Sequence, residues 1–144
     1  MTDIDRTAPV LVRHEVLIAA DPAAVWRLHT DIAAWPTWNA DITTARLAGP
    51  LAEGATFHWH THGLDIASTV LELVPGARIV WGGPAHGIDG VHVWTFAPVD
   101  GGTLVTTEES WAGPPVDADP EGLRAALDAS LTAWLGNLRA TAER

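Results

Sequence analysis

Between Ile42 and Trp111 the chain reads as one extended segment after another, and its long amphipathic stretch comes only after them. The extended segments are punctuated at Ala48-Gly49-Pro50, His62-Gly63, Pro75-Gly76, a glycine-rich stretch from Gly82 to Gly90, and Asp100-Gly101-Gly102. Connections this short join antiparallel neighbours, because a parallel crossover needs a dozen residues or more. Such a sheet has an apolar face that must be covered. The cover is the stretch opened by Asp119-Pro120, where Leu123, Leu127, Leu131, Trp134 or Leu135, and Leu138 recur at helical spacing. About 24 residues rising about 1.5 Å each make a helix of roughly 36 Å, enough to cross a whole sheet.

Upstream of the sheet, residues 10–19 alternate as a first strand. Asp21-Pro22 then starts a helix through Val25, Trp26, Leu28 and His29, with the carboxylate as N-cap and Pro in the first turn. Asp31 caps a second short helix over Ile32, Ala33 and Ala34, which Trp35-Pro36 is expected to end, since Pro disfavours helical backbone in the residue before it. Gly113-Pro114-Pro115 breaks the last strand. The expected fold is α+β: a curved antiparallel sheet of about seven strands, two short helices after the first strand, and one long C-terminal helix across the sheet. Residues 1–9 are expected to be a flexible N-terminus, and residues 10–144 one ligand-binding domain with an internal apolar cavity between sheet and helix.

A net charge of −10, which protonation of all seven His would not reverse, leaves no electrostatic footprint for a phosphate backbone and excludes nucleic acid as a partner. Charged residues at Asp3, Asp5, Arg6, Arg13 and Glu15 rule out a signal-peptide core, and no apolar run approaches membrane-spanning length. A cytoplasmic location is expected, and a homodimer is compatible with the sequence. The chain has no Cys, no Lys and no Tyr, so thiolate nucleophiles, Schiff-base lysines and tyrosine acids are absent from its chemistry.

The Asp100-Gly101 loop sets a countable register. With those two residues as the loop, Phe96 faces Val105, Trp94 faces Thr107, and His92 faces Glu109. Period-two alternation puts His92 and Glu109 on the face that also carries Trp94, Phe96, Val105 and Trp111. Directly opposed residues have Cβ atoms roughly 4.5–5.5 Å apart, so imidazole and carboxylate can bond. The pair is either a satisfied buried contact or a proton-transfer device.

A resemblance rests on residues in order along the chain. Asp21-Pro22 with Val25-Trp26 comes first, then Trp35-Pro36 and Trp38-Asn39. Gly54 with Phe57 and Trp59 follows, then Pro75 with Ile79 and Trp81, Gly102-Thr103 with Glu109, and the Leu-rich last helix. From about residue 10 to 142 the chain resembles the polyketide cyclase/dehydrase group of the START/Bet v1-like (SRPBCC) superfamily, the helix-grip fold. The resemblance implies a deep apolar cavity that holds polyketides, lipids, sterols or aromatics. It also implies diverse functions, among them cyclases and aromatases, lipid carriers, receptors and co-chaperones. No catalytic residue carries over by motif, and the branch with a catalytic lysine does not match a chain without one.

The hairpin register places Phe57, Trp59, Ile79, Trp81, His92, Trp94, Phe96, Val105, Thr107, Glu109 and Trp111 on the cavity side, closed by Leu127, Leu131, Trp134 and Leu138 of the helix. Aromatic walls favour a flat, ring-bearing ligand. His58, His60 and His62 have metal-ligand spacing on a strand, but Phe57 and Trp59 have the stronger claim on the interior, and no converging carboxylate is expected. No metal and no cofactor are therefore called for. If His62-Gly63 is a hairpin loop, His60 meets Asp65. The Gly82–Gly90 stretch lacks Lys and a following helix, which makes it a flexible flap rather than a phosphate cradle, with Ala112–Ala118 as a second gate and His86 solvated. Three functions fit these residues. One is a cofactor-free cyclase, aromatase or dehydratase with His92 as acid or base and Glu109 holding its pKa. The others are a non-catalytic carrier or sensor and a co-chaperone-like interaction module.

Overall fold

The computed structural model describes residues 2–144. Strand β1 (Val10–Ile18) leads into helix α1 (Pro22–Thr30), a single 3-10 turn (Ile32–Ala34) and the short helix α2 (Trp35–Trp38). Strands β2 (Ile42–Leu47), β3 (Thr56–Thr61), β4 (Leu64–Val74), β5 (Arg78–Ala85), β6 (Ile88–Val99) and β7 (Gly102–Ala112) follow. Helices α3 (Pro114–Ala118) and α4 (Pro120–Ala142) end the chain. All seven strands form one antiparallel sheet in the order β1-β7-β6-β5-β4-β3-β2. The helix-grip architecture expected from the sequence is the architecture found.

The last strand pairs with the first, which puts β6 and β7 next to β1 and leaves β2 and β3 at the far edge. Bulges at Ile42/Thr44 in β2 and Val70/Glu72 in β4 bend that far half. Asp119 accepts a hydrogen bond from the backbone N–H of Gly122 at 3.0 Å and so caps α4. The buried stripe of α4 is Leu127, Leu131, Trp134, Leu135 and Leu138. The backbone of α4 lies closest to β1, α1, α2 and α3, and the cavity opens between it and the middle of the sheet.

Three expectations need correction. Trp35-Pro36 does not end a helix but starts α2, with Trp35 itself in helical backbone at φ −48°, ψ −44°. The conformational cost is offset by its fully buried indole, whose Nε1–H donates to the carbonyl of His29 at 2.7 Å. The Gly82–Gly90 stretch is not a loose flap. β5 and β6 extend through it to a two-residue turn at His86-Gly87, with φ of +53° and +81°, as at His62-Gly63 with +49° and +78°. The segment after β7 folds as α3 and packs on this turn so closely that a Cβ on Gly113 would lie 2.2 Å from the Gly87 carbonyl oxygen.

The N-terminus expected to be flexible is tied down over residues 2–9, while Met1 lies outside the described residues. Ile4 packs with Val80 and Val93 on the outer face of the sheet. Glu72 accepts from the Thr2 N–H at 2.7 Å, and Ser110 Oγ accepts from the Asp5 N–H at 3.0 Å. Asp21 does occupy the N-cap of α1, but its side chain makes no capping bond.

Candidate active site

The register counted from the Asp100-Gly101 loop is the register observed: Phe96 opposite Val105, Trp94 opposite Thr107, His92 opposite Glu109. His92 Nδ1 lies 3.0 Å from Glu109 Oε1. His92 Nε2 lies 2.7 Å from Thr107 Oγ1, and the indole N–H of Trp111 donates to Glu109 Oε2 at 2.7 Å. One imidazole thus uses both nitrogens on neighbours from β7. Its side chain is only 4% exposed, against 15% for Glu109, whose exposed part faces the cavity.

Burial sets the charge state of this group. It pushes the Glu109 carboxyl up to about 8, opposed by the hydrogen bond from Trp111. It also holds His92 well below the ordinary imidazole range, with the nearby His29 acting in the same direction. Both shifts favour an uncharged pair at neutral pH, a carboxylic acid against a neutral imidazole. With both ring nitrogens engaged, His92 has none free for a ligand. Glu109, bonded to His92 through Oε1 and to Trp111 through Oε2, is the more exposed member of the pair at the cavity wall, and its oxygens keep further lone pairs.

Aromatic rings lock the imidazole. Trp81 sits 5.0 Å from it between centroids, Trp94 5.2 Å, and Trp134 of α4 5.6 Å at an interplanar angle of 89°. In front of Glu109 the cavity has a volume of about 570 Å³, within the range that takes a small organic ligand. Gly83 and Gly90 face each other across β5 and β6 in its wall, leaving a gap where two side chains would stand. Ala126, Ala129 and Ser130 keep the α4 side shallow.

Of the residues expected to bind ligand, Trp59, Trp81, Trp111, Leu131 and Trp134 line the cavity together with His92 and Glu109. Phe57, Trp94, Phe96 and Thr107 share the inner face but lie in the packed core at its closed end. Trp35 of α2 packs on Phe57 at 5.6 Å between centroids and Thr107 is bonded to His92, while Trp94 and Phe96 are covered by His29 of α1. Its fully buried imidazole fills that end, 4.1 Å from Trp94 and 5.5 Å from Phe96 between centroids. Neither His29 nitrogen has a hydrogen-bond partner, nor do the indole nitrogens of Trp38, Trp94 and Trp134.

Sequence reasoning missed the polar rim formed by Asn39, Asp41, Thr61 and Ser68. Ser68 accepts from Trp59 Nε1 at 3.1 Å, and Thr61 donates to the Asp41 carbonyl at 2.7 Å. The only signal was the position of Asn39 at the entry to the sheet. His29 was readable: it falls four residues after Val25 and three before Ile32, on the buried helical face.

The histidine run divides. His58 points outward and is exposed, His60 Nδ1 is bonded to Asp65 Oδ1 at 2.7 Å, and His62 Nε2 reaches Ser130 Oγ of α4 at 3.3 Å. His86, expected to be solvated, is exposed yet its Nε2 bonds the Asp65 carbonyl at 2.8 Å. Among the described residues no three His, Cys, Asp or Glu are placed to hold a metal ion.

The family model described as polyketide cyclase / dehydrase and lipid transport matches residues 9–143. The chain belongs to that family. Its fold is similar to that of a hypothetical protein from Helicobacter pylori, with a TM-score of 0.84 at 21% identity over 99% of this chain and 97% of that one. It is likewise similar to an aromatase/cyclase from Streptomyces sp. R1128, with a TM-score of 0.81 at 17% identity over 93% of each chain. A START superfamily protein from Mycobacterium smegmatis gives 0.76 at 14% identity, over 92% of this chain and 97% of that one. The sequence matches no curated protein. At these identities the structural likeness establishes the fold. No helix of this family member is long and apolar enough to cross a membrane, among the described residues.

Proposed function

We propose that this protein binds a hydrophobic, ring-bearing molecule of polyketide or lipid-like character in the cavity and catalyses its cyclisation or dehydration without a cofactor. The observation that carries this reading is a carboxyl group in an apolar cavity wall, fixed by His92 and Trp111 and held as an acid at neutral pH. A pKa near the working pH is what a group needs to serve as both acid and base. As the acid, Glu109 turns its Oε1–H away from His92 Nδ1 to a ligand carbonyl or departing hydroxyl oxygen and gives up its proton there. As the carboxylate, it takes a proton from carbon next to a carbonyl, and the resulting enolate closes the ring or expels water. Indole walls orient the flat substrate, which lowers the entropic part of the barrier.

A carrier is the second reading, favoured by the predominance of apolar side chains around the cavity. The test pairs Glu109→Gln with Gly90→Leu. A Cβ on Gly90 would meet the Trp111 indole at 3.4 Å, so the larger side chain fills space beside Glu109 without a backbone clash. Native mass spectrometry of the purified protein identifies a retained molecule, and a fluorescent polycyclic probe reports occupancy. For an enzyme, Glu109→Gln keeps probe binding within about threefold and loses about 10²–10⁴ in turnover, whereas Gly90→Leu weakens both. Turnover unchanged in Glu109→Gln would sink the catalytic reading. Absence of turnover in the wild type, with a tightly retained ligand, would favour the carrier.

A further inference from the structure

Hydrogen-bond accounting in the Trp111-Glu109-His92-Thr107 chain determines more than its members' positions. An indole N–H only donates, so Glu109 Oε2 must accept from Trp111. A carbonyl oxygen accepts better than a hydroxyl oxygen, so when the carboxyl is protonated we assign its hydrogen to Oε1, which faces His92 Nδ1 at 3.0 Å. Nδ1 must then be the bare, accepting nitrogen. The single ring proton of the neutral imidazole is on Nε2 and is donated to Thr107 Oγ1 at 2.7 Å.

When the carboxyl loses its proton, each direction reverses. Carboxylate Oε1 needs a donor, which is Nδ1–H, and Nε2 becomes the bare nitrogen. It then needs a donor in turn, which Thr107 supplies from its hydroxyl. Between the two states the chain loses one proton, the ring keeps one, and the hydroxyl keeps one. A hydroxyl is the side-chain group that can accept in one state and donate in the other by a rotation. Thr107 is completely buried, so no solvent can take over either role.

We infer that Thr107 is a positioning residue whose hydroxyl reverses its hydrogen bond so that the tautomer of His92 follows the protonation of Glu109. The inference rests on the acid–base reading of Glu109. The same reasoning explains why a residue on the inner face, expected to touch ligand, is withheld from the cavity: its partner is the far nitrogen of His92. Other titratable groups on the packed elements are His29 of α1, whose ring nitrogens are unpartnered, and His14 of β1, bonded to Asp128 of α4 at 2.6 Å. β5 and α4 present the indoles of Trp81 and Trp134 to His92.

The test is ¹⁵N NMR of the ligand-free protein labelled at histidine, from pH 6 to 9.5, with His92 assigned by its loss in His92→Gln. The two ring nitrogens of a neutral imidazole have well-separated shifts, so the tautomer is read directly. The proton is expected on Nε2 at the acid end and on Nδ1 at the alkaline end, with a midpoint that disappears in Glu109→Gln. Thr107→Val leaves Nε2 without a partner in both states, an unpaired N–H at the acid end and an unpaired lone pair at the alkaline end, so the midpoint is expected to shift by the difference between the two penalties. Thr107→Ser is expected to restore the wild-type midpoint, whereas a purely structural Thr107 would change the melting temperature in both variants and leave the midpoint in place. A single His92 tautomer across the range in the wild type, which needs no variant to fold, overturns the inference. Because no substrate is present, this result is independent of turnover. Tautomer exchange with full activity in Glu109→Gln would leave the inference standing and remove the catalytic reading.

Discussion

Replacing His29 by Leu is expected to stabilise this protein, and increasingly so as the pH falls. The imidazole is fully buried on α1, among Trp35, Trp38, Trp81, Trp94, Phe96 and Trp134, with both ring nitrogens unpartnered. A buried polar group without a partner costs about 1–3 kcal/mol, which Leu, of similar volume and good helix propensity, removes. Burial also depresses the His29 pKa to about 3 from an ordinary value of 6.5. The unfolded chain then binds a proton that the folded chain refuses, so stability is present above pH 6.5 and lost as the pH falls toward 3. Integrated from pH 7 to pH 5, that single site costs the wild type about 2 kcal/mol. The Leu variant should therefore gain about 1 kcal/mol or more at pH 7 and about 3 kcal/mol or more at pH 5. Urea unfolding followed by tryptophan fluorescence at both pH values measures this. A variant that is less stable at pH 7, with the same difference at pH 5, would refute the reasoning, since it would mean that the imidazole is partnered or charged in the fold.

Glu109 acts in the opposite sense. Its folded pKa of about 8 lies above the ordinary 4.5, so its stabilisation is present at acid pH and is lost as the pH rises through 8. Between pH 6.5 and 8 the wild type should lose about 1 kcal/mol per pH unit, seen as falling thermal midpoints, and Glu109→Gln should flatten that limb. Gly102→Ala is expected to cost more than about 3 kcal/mol, because at φ +150° its Cβ would lie 2.0 Å from the Ile18 carbonyl oxygen. Gly101→Ala, at φ +87° with nothing within 4 Å, should cost only about 1 kcal/mol. Equal losses in denaturant titrations would show that the approach of Ile18 to this turn is softer than the geometry implies.

The features legible in the sequence are those set over short stretches of chain. A two-residue loop and a period of two place His92 opposite Glu109, and the same argument at His62-Gly63 places His60 opposite Asp65. The order of elements and a single long apolar stripe are enough to require a sheet gripping one helix. The features that were not legible depend on distances between remote segments. The reading of Gly82–Gly90 as a loop failed because glycine content signals flexibility only where no neighbour pairs with it, and here β5, β6 and the Gly113–Pro115 segment all do. Residues 2–9 look unanchored until Glu72 and Ser110 are brought beneath them.

The candidate site divides along the same line. Sequence by itself determined which residues share the inner face, because alternation is a property of each strand. Tertiary structure alone decided which of those residues border the cavity. Phe57, Trp94, Phe96 and Thr107 have the same facing as Trp59, Trp81 and Glu109, but His29 of α1 packs on Trp94 and Phe96, Trp35 of α2 packs on Phe57, and His92 takes the Thr107 hydroxyl, which leaves the second group around the cavity. It also decided which nitrogen of His92 meets which partner. Period and register specify a neighbour, whereas the orientation of a ring and the burial that sets its protonation depend on every element packed around it.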